Sequence, residues 1–242
     1  MTALLASGIG IPGRLQPTDV QLNAGQLTAV IGPNGGGKTS LLRAAAGVEQ
    51  GASGKLWVGD EALEDVPPIR RAGLLGFLPA ARDVPWSISA RDVIALGLPR
   101  PDREGVAELI EMLELGRLAE RPVNQLSTGE RARVLLGRVL APRPRVLLLD
   151  EPCSNVDPYW AHRILDVLHS VAAQGTAIAL SIHDLGLLTL FDRVLLVELG
   201  RVQLDAEPAR ALASSELRAA FRIEPQGSGW RIIPPEDRQS SR

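Results

Sequence analysis

The sequence predicts an α/β fold with a mostly parallel sheet and an inserted helical subdomain. Short apolar runs of strand length alternate with helix-patterned segments, which is the order typical of parallel α/β proteins. The first such run, residues 27–32, leads into a glycine-rich loop and the helix-patterned segment 39–47. Between about residues 85 and 141 the pattern becomes mostly helical, and residues 104–118 form its clearest amphipathic stretch. We therefore expect helices inserted into an α/β core.

Three later segments complete the predicted core. Residues 145–150 (RVLLLD), 176–182 (TAIALSI) and 193–200 (RVLLVELG) have the length and apolar content of buried strands. A helix is predicted shortly after the first of them, because Asp157 suits the N-cap position and Pro158 the first helical position.

The composition limits the class of protein. With 242 residues, 45% of them hydrophobic, the chain is able to bury a substantial core, which excludes disordered and fibrous classes. The formal net charge of -2 gives no reason to expect nucleic acid as the main partner. The single cysteine, Cys153, excludes an internal disulfide framework, and its small and apolar neighbours favour a buried position. No run approaches about 18 apolar residues, and the N-terminus lacks a basic segment, so we expect neither a membrane span nor a signal peptide.

A glycine-rich loop over residues 32–39 fits the pattern GxxxxGK[ST] and lies between a predicted strand and a predicted helix. Glycines allow backbone N–H groups to surround phosphate oxygens, and the N-terminus of the following helix adds positive potential. Lys38 is expected to reach the β and γ phosphates, and the Thr39 hydroxyl to bind Mg²⁺. The residues that we assign to nucleotide binding in this region are Gly32, Pro33, Asn34, Gly35, Gly36, Gly37, Lys38, Thr39 and Ser40.

Two acidic residues follow the predicted strand at 145–150. Asp150 at its carboxyl end is suited to hold Mg²⁺ through a water molecule, and Glu151 is suited to polarise an attacking water as a general base. Alone, a strand that ends in two acids is equally compatible with solvated charges. A phosphate-binding loop upstream favours a nucleoside triphosphatase.

The segment LSTGE at 126–130 opens a predicted helix. Ser127 and Glu130 have the S-x-x-E spacing of a capping box, in which each side chain accepts a hydrogen bond from a backbone N–H at the helix start. The same exposed helix start also offers N–H groups and a hydroxyl to a phosphate. Both interpretations are compatible with each other.

Five motifs in a fixed order resemble the ATP-binding cassette (ABC) ATPases. They are GPNGGGKTSLL, LSTGE, RVLLLDEP, SNVD at 154–157 and SIHD at 181–184. The resemblance covers about residues 1–222, with the helical subdomain at about 85–141, and leaves 223–242 as a C-terminal tail that we expect to be poorly ordered. In the tail, GWRII is a candidate for an additional edge strand. The resemblance implies a P-loop NTPase core and an antiparallel N-terminal β portion.

The resemblance also implies a role for each motif. In that family two cassettes meet head to tail, and each ATP lies between the phosphate loop of one and the signature helix of the other. Ser127 and Gly129 would then contact the γ-phosphate of ATP bound to the partner subunit. Glu151 would be the catalytic base and His183 would contact the γ-phosphate, so both are assigned as catalytic. Asp157 would lie on the dimer seam, with ATP and Mg²⁺ as cofactors and Thr39 and Asp150 as the metal-binding residues.

The N-terminal segment GIGIPGRLQPTDVQLNAGQLTAVIGPNG is similar to the ATPase subunits of importers for vitamin B12, haem and ferric siderophores. This branch implies a homodimer on the cytoplasmic face of the inner membrane. It would bind membrane permease subunits and, through them, act with a periplasmic substrate-binding protein. The expected cargo is an iron complex or a cobalamin-like molecule.

The chain departs from the family pattern at several positions. Thr128 replaces the usual glycine of the signature, and Glu130 replaces glutamine. Residues 9–15 contain no aromatic side chain to stack on adenine, so we expect apolar packing against the base. Ala80 occupies the position of a glutamine that binds Mg²⁺ in the family, and a methyl group cannot bind a metal. Arg82 or Asp83 nearby is a candidate substitute.

Three functions follow as hypotheses. The first is an ABC transporter ATPase that drives import. The second, suggested by Ala80, is an ATP-dependent dimerising module with slow turnover. The third is a soluble ABC protein outside transport, which the balanced charge and the lack of long basic insertions disfavour.

Overall fold

The computed structural model of the chain describes residues 1–81, 84–85, 87–226 and 229–233. Most of these residues belong to two β-sheets and to the helices packed around them. The strands are β1 (Thr2–Ile11), β2 (Leu15–Asn23), β3 (Leu27–Ile31), β4 (Ser53–Val58), β5 (Glu61–Ala62), β6 (Leu75–Leu78), β7 (Val146–Leu149), β8 (Ala177–Ser181), β9 (Arg193–Glu198), β10 (Arg201–Ala206), β11 (Ile223–Gln226) and β12 (Gly229–Ile232).

Eight α-helices lie in the described part of the chain. Short 3₁₀ turns occupy several of the connections between them. The helices are α1 (Lys38–Ala45), α2 (Pro68–Leu74), α3 (Ala90–Ala95), α4 (Arg103–Met112), α5 (Thr128–Leu140), α6 (Pro158–Ala173), α7 (Pro208–Ala213) and α8 (Ser215–Phe221).

The larger sheet has six strands in the order β10-β9-β3-β8-β7-β6. Five of them run parallel, and β10 pairs antiparallel with β9 at one edge. Strands β3, β7 and β8 are buried along their whole length, as expected for a sheet covered on both faces. The predicted α/β class with a mostly parallel sheet is therefore confirmed.

The second sheet is antiparallel and has the order β2-β1-β4-β5, which confirms the antiparallel N-terminal portion. Helix α1 lies between the two sheets. Its Leu41 and Leu42 pack in one apolar cluster with Leu4 of β1 and with Val30 and Leu148 of the larger sheet. This cluster fixes the helix that follows the glycine-rich loop.

Helices α3, α4 and α5 lie within the predicted insertion at 85–141 and pack closely against one another. Gly137 of α5 faces Ile94 and Leu113, and a Cβ added to this glycine would come within 3.0 to 3.2 Å of their side chains. Gly97 follows α3 and approaches the backbone of Arg138, so that an added Cβ would be 2.0 Å from its carbonyl oxygen. The exact division of the chain into an ABC domain at 1–222 and a tail stays a prediction.

Helix α6 begins as predicted. The Asp157 carboxylate accepts a hydrogen bond from the backbone N–H of Trp160 at 3.0 Å, and Pro158 is the first helical residue.

At the C-terminus, residues 229–232 do not extend the larger sheet, because they pair with β11 in a separate two-stranded sheet. The tail expected to be poorly ordered, 223–242, includes β11 and β12, while its residues 227–228 and 234–242 lie outside the described residues. Among the described residues, no helix is both long and apolar enough to cross a membrane.

Candidate functional site

The predicted site residues meet at the carboxyl edge of the parallel sheet. The glycine-rich loop follows β3, Asp150 and Glu151 follow β7, and His183 comes two residues after β8. The strands are in register, with Leu149 paired to Leu180. Since the carboxyl ends of parallel strands lie at the same edge, this arrangement brings three motifs that are distant in sequence to one place.

The glycine-rich loop has a conformation that requires its glycines. Gly32, Gly35 and Gly37 have φ of 149°, 76° and 112°, values that residues with a side chain rarely adopt. At Gly32 an added Cβ would lie 1.9 Å from the carbonyl oxygen of Val197, and at Gly36 it would lie 2.7 Å from the same atom. The sequence pattern therefore reflects both the turn of the loop and its close contact with β9.

Lys38 is held inside this loop at the start of α1. Its side chain is 6% exposed, and its Nζ donates hydrogen bonds to the carbonyl oxygens of Gly32 at 2.9 Å and Pro33 at 3.2 Å. Burial lowers the pKa of Lys38, while the carboxylates of Glu151 and Asp150 oppose this effect. The ammonium group is thus placed at the loop before any phosphate binds.

Glu151 takes an unusual backbone conformation for a residue with a side chain, with φ of 52°. Its Oε1 lies 2.7 Å from Nε2 of His183, and its Oε2 accepts a hydrogen bond from Ser154 Oγ at 3.0 Å. The hydrogen bond from His183 is the main reason that the pKa of Glu151 is lowered, and the one from Ser154 acts in the same direction. The structure therefore joins the two residues predicted as catalytic in one oriented pair, with Glu151 favoured as the ionised carboxylate.

Asp150 lies behind Glu151 and is 1% exposed. Its Oδ1 accepts a hydrogen bond from Ser181 Oγ at 2.7 Å, and the same hydroxyl accepts one from the backbone N–H of Glu151 at 2.8 Å. Sequence reasoning gave Ser181 no role, although it opens the SIHD motif. The structure shows that it fixes both acidic residues to β8.

A cavity of about 700 Å³ runs from the glycine-rich loop and Glu151 to the turns after β1 and β9, a size that suits a nucleotide. The predicted residues that line it are Asn34, Gly35, Gly37, Lys38, Thr39, Ser40 and Glu151. At its far end the cavity is lined by Arg14, Leu15, Gln16 and Leu199, and the expected apolar packing against the base stays a prediction. Sequence reasoning missed these residues because they carry no motif.

The oxygen groups near this cavity suit a hard cation. The Thr39 side chain is in the cavity wall, whereas the Asp150 carboxylate is buried behind it and is not among the described lining residues. An approach of Mg²⁺ to Asp150 through a water, as the sequence suggests, is compatible with that position. The other predicted residues, Gly32, Pro33 and Gly36, support the loop through backbone contacts.

The remaining predicted residues lie away from this cavity. Ser127 and Glu130 form the predicted capping box, with Ser127 N donating to Glu130 Oε2 at 2.8 Å and Glu130 N to Ser127 Oγ at 3.3 Å. The backbone hydrogen bond from Ser127 is the main reason that the pKa of Glu130 is lowered. Gly129 is close to Val156, just before Asp157. Within one copy of the chain, the signature therefore does not reach the phosphate loop.

His183 also borders a smaller cavity of about 270 Å³ together with Cys153 and His162. Cys153 is only partly buried, so the prediction of a buried filler is wrong in part. Its Sγ lies 3.8 Å from the carbonyl oxygen of Ala161 in α6.

Ala80 lies at the same sheet edge as the acidic pair. Leu78 pairs with Leu149 in parallel register, and its carbonyl oxygen accepts a hydrogen bond from the backbone N–H of Asp150 at 2.8 Å. Two residues beyond this pairing the chain reaches Ala80, which is exposed. The candidate substitutes Arg82 and Asp83 lie outside the described residues.

Comparison with known proteins gives a consistent family signal. The family model described as ABC transporter matches residues 15–154. A hemin import ATP-binding protein, HmuV, of Rhodococcus jostii is 35% identical over 231 residues, which cover 90% of this chain and 79% of that protein. The HmuV protein of Pseudomonas aeruginosa is 36% identical, with 87% of each chain covered. An Fe(3+) ions import ATP-binding protein, FbpC, of Streptomyces avermitilis is 36% identical over 86% of this chain and 63% of its own length.

Solved structures show the same fold. A nucleotide-free ATP-binding cassette from an ABC transporter superposes with a TM-score of 0.79 at 21% identity, covering 91% of this chain and 99% of that one. A dimeric cassette in a post-hydrolysis state with ADP and phosphate superposes with a TM-score of 0.74 at 21% identity, covering 85% and 98%.

Proposed function

The chain belongs to the ABC transporter family and is an ATPase, and from this premise we propose that it powers an importer of haem or of another iron complex. The observation that carries the proposal is the meeting of Lys38 and Glu151 at one nucleotide-sized cavity. Relatives that share at least 35% identity over most of this chain are named for the import of hemin. A relative named for Fe(3+) import supports iron as the common element of the cargo.

The residues at the cavity have different roles in phosphoryl transfer. ATP supplies the γ-phosphoryl group, and Mg²⁺ neutralises part of the phosphate charge when it is bound. Backbone N–H groups of the glycine-rich loop and the N-terminus of α1 bind phosphate oxygens, and Lys38 adds a positive charge there. Thr39 would hold the cation directly, and Asp150 would hold it through a water molecule. The protein thus acts on the phosphates by positioning and by charge.

Glu151 orients and polarises the attacking water as a general base. Its negative charge suits this role, and the hydrogen bond with His183 fixes where the carboxylate points. The same contact holds His183 at the end of β8, where it is able to bind the γ-phosphate once the nucleotide is present.

We propose that the site is completed by a second copy of the chain. Gly129 supports this, because an added Cβ would meet only Val156 Cγ1 at 3.5 Å, which is an ordinary contact among the described residues. The fold of one copy therefore does not require glycine there. A phosphate that approaches the start of α5 closely would require glycine at this position. Ser127, Gly129 and Asp157 would then face ATP held by the partner copy.

The membrane permease has a candidate docking groove. A cavity of about 420 Å³ lies between β6 and the helices α3 and α5, and Phe77, Pro79, Leu96 and Leu135 are among its lining residues. Leu96 is exposed at its edge, and the groove adjoins the segment that carries Ala80. A permease segment seated there would contact the loop next to the acidic pair, which gives a direct route between transport and hydrolysis.

Reconstitution with a permease tests the proposed function. Permeases encoded beside this chain are purified with it and placed in liposomes, with haem, a ferric siderophore and cobalamin as separate cargoes. We expect the permease to raise ATP hydrolysis by about tenfold, as a coupling between two sites of this kind allows, and uptake of an iron-containing cargo to require ATP. A rate of ATP hydrolysis that no permease changes, or cargo uptake that does not depend on ATP, would overturn the importer assignment.

Replacing Ala80 with glutamine tests whether the loop after β6 is weakly coupled to the cation. We expect Ala80→Gln to lower the Mg²⁺ concentration for half-maximal hydrolysis by about threefold or more, because an amide oxygen is a ligand for a hard cation whereas a methyl group is not. The readout is a Mg²⁺ titration of hydrolysis with and without permease. Ala81→Gln, one residue further in the same exposed segment, is the matched control for the titration without permease, because Ala81 lines the proposed docking groove.

If Ala80→Gln and Ala81→Gln have the same Mg²⁺ dependence as the parent, the missing glutamine is not a defect of this site. A parent chain that dimerises with ATP but releases phosphate very slowly would instead favour the slow-turnover dimerising module.

A further inference from the structure

Arg133 of α5 joins three helices. Its guanidinium Cζ lies 3.5 Å from the ring centroid of Trp160 in α6, a cation–π contact, although the side chain is only 6% exposed. Its Nη1 donates hydrogen bonds to the carbonyl oxygens of Leu113 at 2.8 Å and Glu114 at 3.1 Å, at the end of α4. A single buried cation therefore connects the inserted helices to the core helix α6.

Glu114 strengthens the same connection from a strained position. Helix α4 ends in a Schellman motif, in which Glu114 N bonds to Glu111 O and Leu115 N to Ile110 O. Glu114 takes the left-handed position of this motif, with φ of 52°, where glycine is favoured.

The Glu114 carboxylate accepts hydrogen bonds from two residues of α6. Arg163 Nε donates to its Oε1 at 3.1 Å, and the Tyr159 hydroxyl lies 3.3 Å from the same oxygen. The side chain at this strained position is therefore used entirely to reach across to α6.

These contacts join the two segments that face a second copy in the proposed dimer. Helix α5 begins at the signature, and α6 begins directly after residues 154–157. Asp157 caps α6 through the backbone N–H of Trp160, the residue that stacks on Arg133. Gly129 and Val156 lie next to each other at the outer end of this arrangement.

We propose that Glu114, Arg133, Trp160 and Arg163, called here the helix clamp, are positioning residues for the composite ATP site. The clamp holds the signature and residues 154–157 as one rigid surface, so that a second copy of the chain meets both segments at once. This inference rests on the proposed function, because it requires ATP to lie between two copies. None of the clamp residues is proposed to contact ATP.

The chemistry of the four clamp residues suits a positioning role better than a stabilising one. Glu114 and Arg163 are about two-fifths and one-third exposed, and ion pairs at such sites stabilise a fold only slightly. Burying Arg133 is unfavourable in itself, and burial lowers its pKa. An apolar contact would hold three helices together equally well, whereas the directional bonds of a guanidinium and a carboxylate fix their orientation.

Substitutions in the clamp test the proposal on a Glu151→Gln background, which keeps ATP bound. The two variants are Glu114→Gly, which relieves the backbone while removing the carboxylate, and Trp160→Leu. Two quantities are measured: the affinity of the dilute monomer for a fluorescent ATP analogue, and the dissociation constant of the ATP-induced dimer by sedimentation velocity. We expect a dimer dissociation constant raised by about tenfold, within the range of coupling between sites, and an unchanged monomer affinity.

Controls separate positioning from general destabilisation. Glu108→Gln removes an exposed ion pair between α4 and Arg143 that does not involve α6, and it should dimerise like the parent. Trp160→Phe keeps an aromatic face for Arg133 and should restore most of the dimerisation that Trp160→Leu loses.

The outcomes are distinct. Clamp variants that dimerise as tightly as the Glu151→Gln parent overturn the inference and leave the proposed function intact. Loss of monomer ATP affinity in parallel with dimerisation also overturns it, because the effect would then be general. A parent that does not dimerise with ATP overturns the two-copy site and the clamp together.

Discussion

Replacing Glu151 with glutamine is expected to lower kcat by about 100- to 10,000-fold, the range for loss of a general base, while ATP stays bound. Glutamine has nearly the same shape, and its amide oxygen is able to keep the contact with His183. It carries no negative charge and does not accept the proton of the attacking water. The substitution therefore removes chemistry and leaves the phosphate loop unchanged.

Retention of nucleotide distinguishes this outcome from damage to the fold. After incubation with ATP and Mg²⁺, the Glu151→Gln chain should hold unhydrolysed ATP at the affinity of the parent. Glu64→Gln, at an exposed glutamate outside the 700 Å³ cavity, is the matched control and should leave kcat unchanged. Loss of ATP binding in Glu151→Gln would show that the residue acts in binding and not in catalysis.

Replacing Lys38 with alanine is expected to weaken ATP binding by about 100-fold or more. Removing one partner of a buried charge-assisted contact costs about 2 to 5 kcal/mol, and each 1.4 kcal/mol is a tenfold change. A loss of this size is expected because the ammonium group is already fixed at the loop by Gly32 and Pro33 and loses little freedom on binding. Titration calorimetry with ATP gives the dissociation constant directly.

Lys55 provides the control for this experiment, since it is exposed on β4 away from the 700 Å³ cavity. Lys55→Ala removes the same charge and should bind ATP like the parent. Equal affinities for Lys38→Ala and Lys55→Ala would mean that the glycine-rich loop does not bind the phosphates as we describe.

Local patterns in the sequence predicted much of the fold. The strand, loop and helix at 27–47, the cap of α6 by Asp157 and the capping box of Ser127 and Glu130 each depend on residues within a few positions of one another. Short-range hydrogen bonds and side-chain periodicity determine such features, so they are visible in a single sequence.

Contacts between distant residues were not predictable in the same way. Ser181 reaches Asp150 across 31 positions, and Arg133 reaches Trp160 from another helix. The pairing of β12 with β11, in place of the larger sheet, likewise depends on which edge is accessible in three dimensions. These contacts follow from the assembled sheet and helices, and no local motif marks them.

The position of Ala80 follows from the sequence and the strand register together. The sequence identifies an alanine where the family has a metal-binding glutamine. The register of β6 and β7 then places that alanine at the same sheet edge as Asp150 and Glu151. A weak coupling of cation and transport at this edge is thus a specific, local hypothesis.

Phosphate release in the presence of the permease tests the central claim most directly, namely that this chain is an ATPase whose turnover depends on Glu151. The parent and Glu151→Gln are compared at saturating ATP and Mg²⁺ under the same conditions. We predict steady release by the parent and a rate lower by about 100-fold or more for the variant. Equal rates for the two chains would contradict the account.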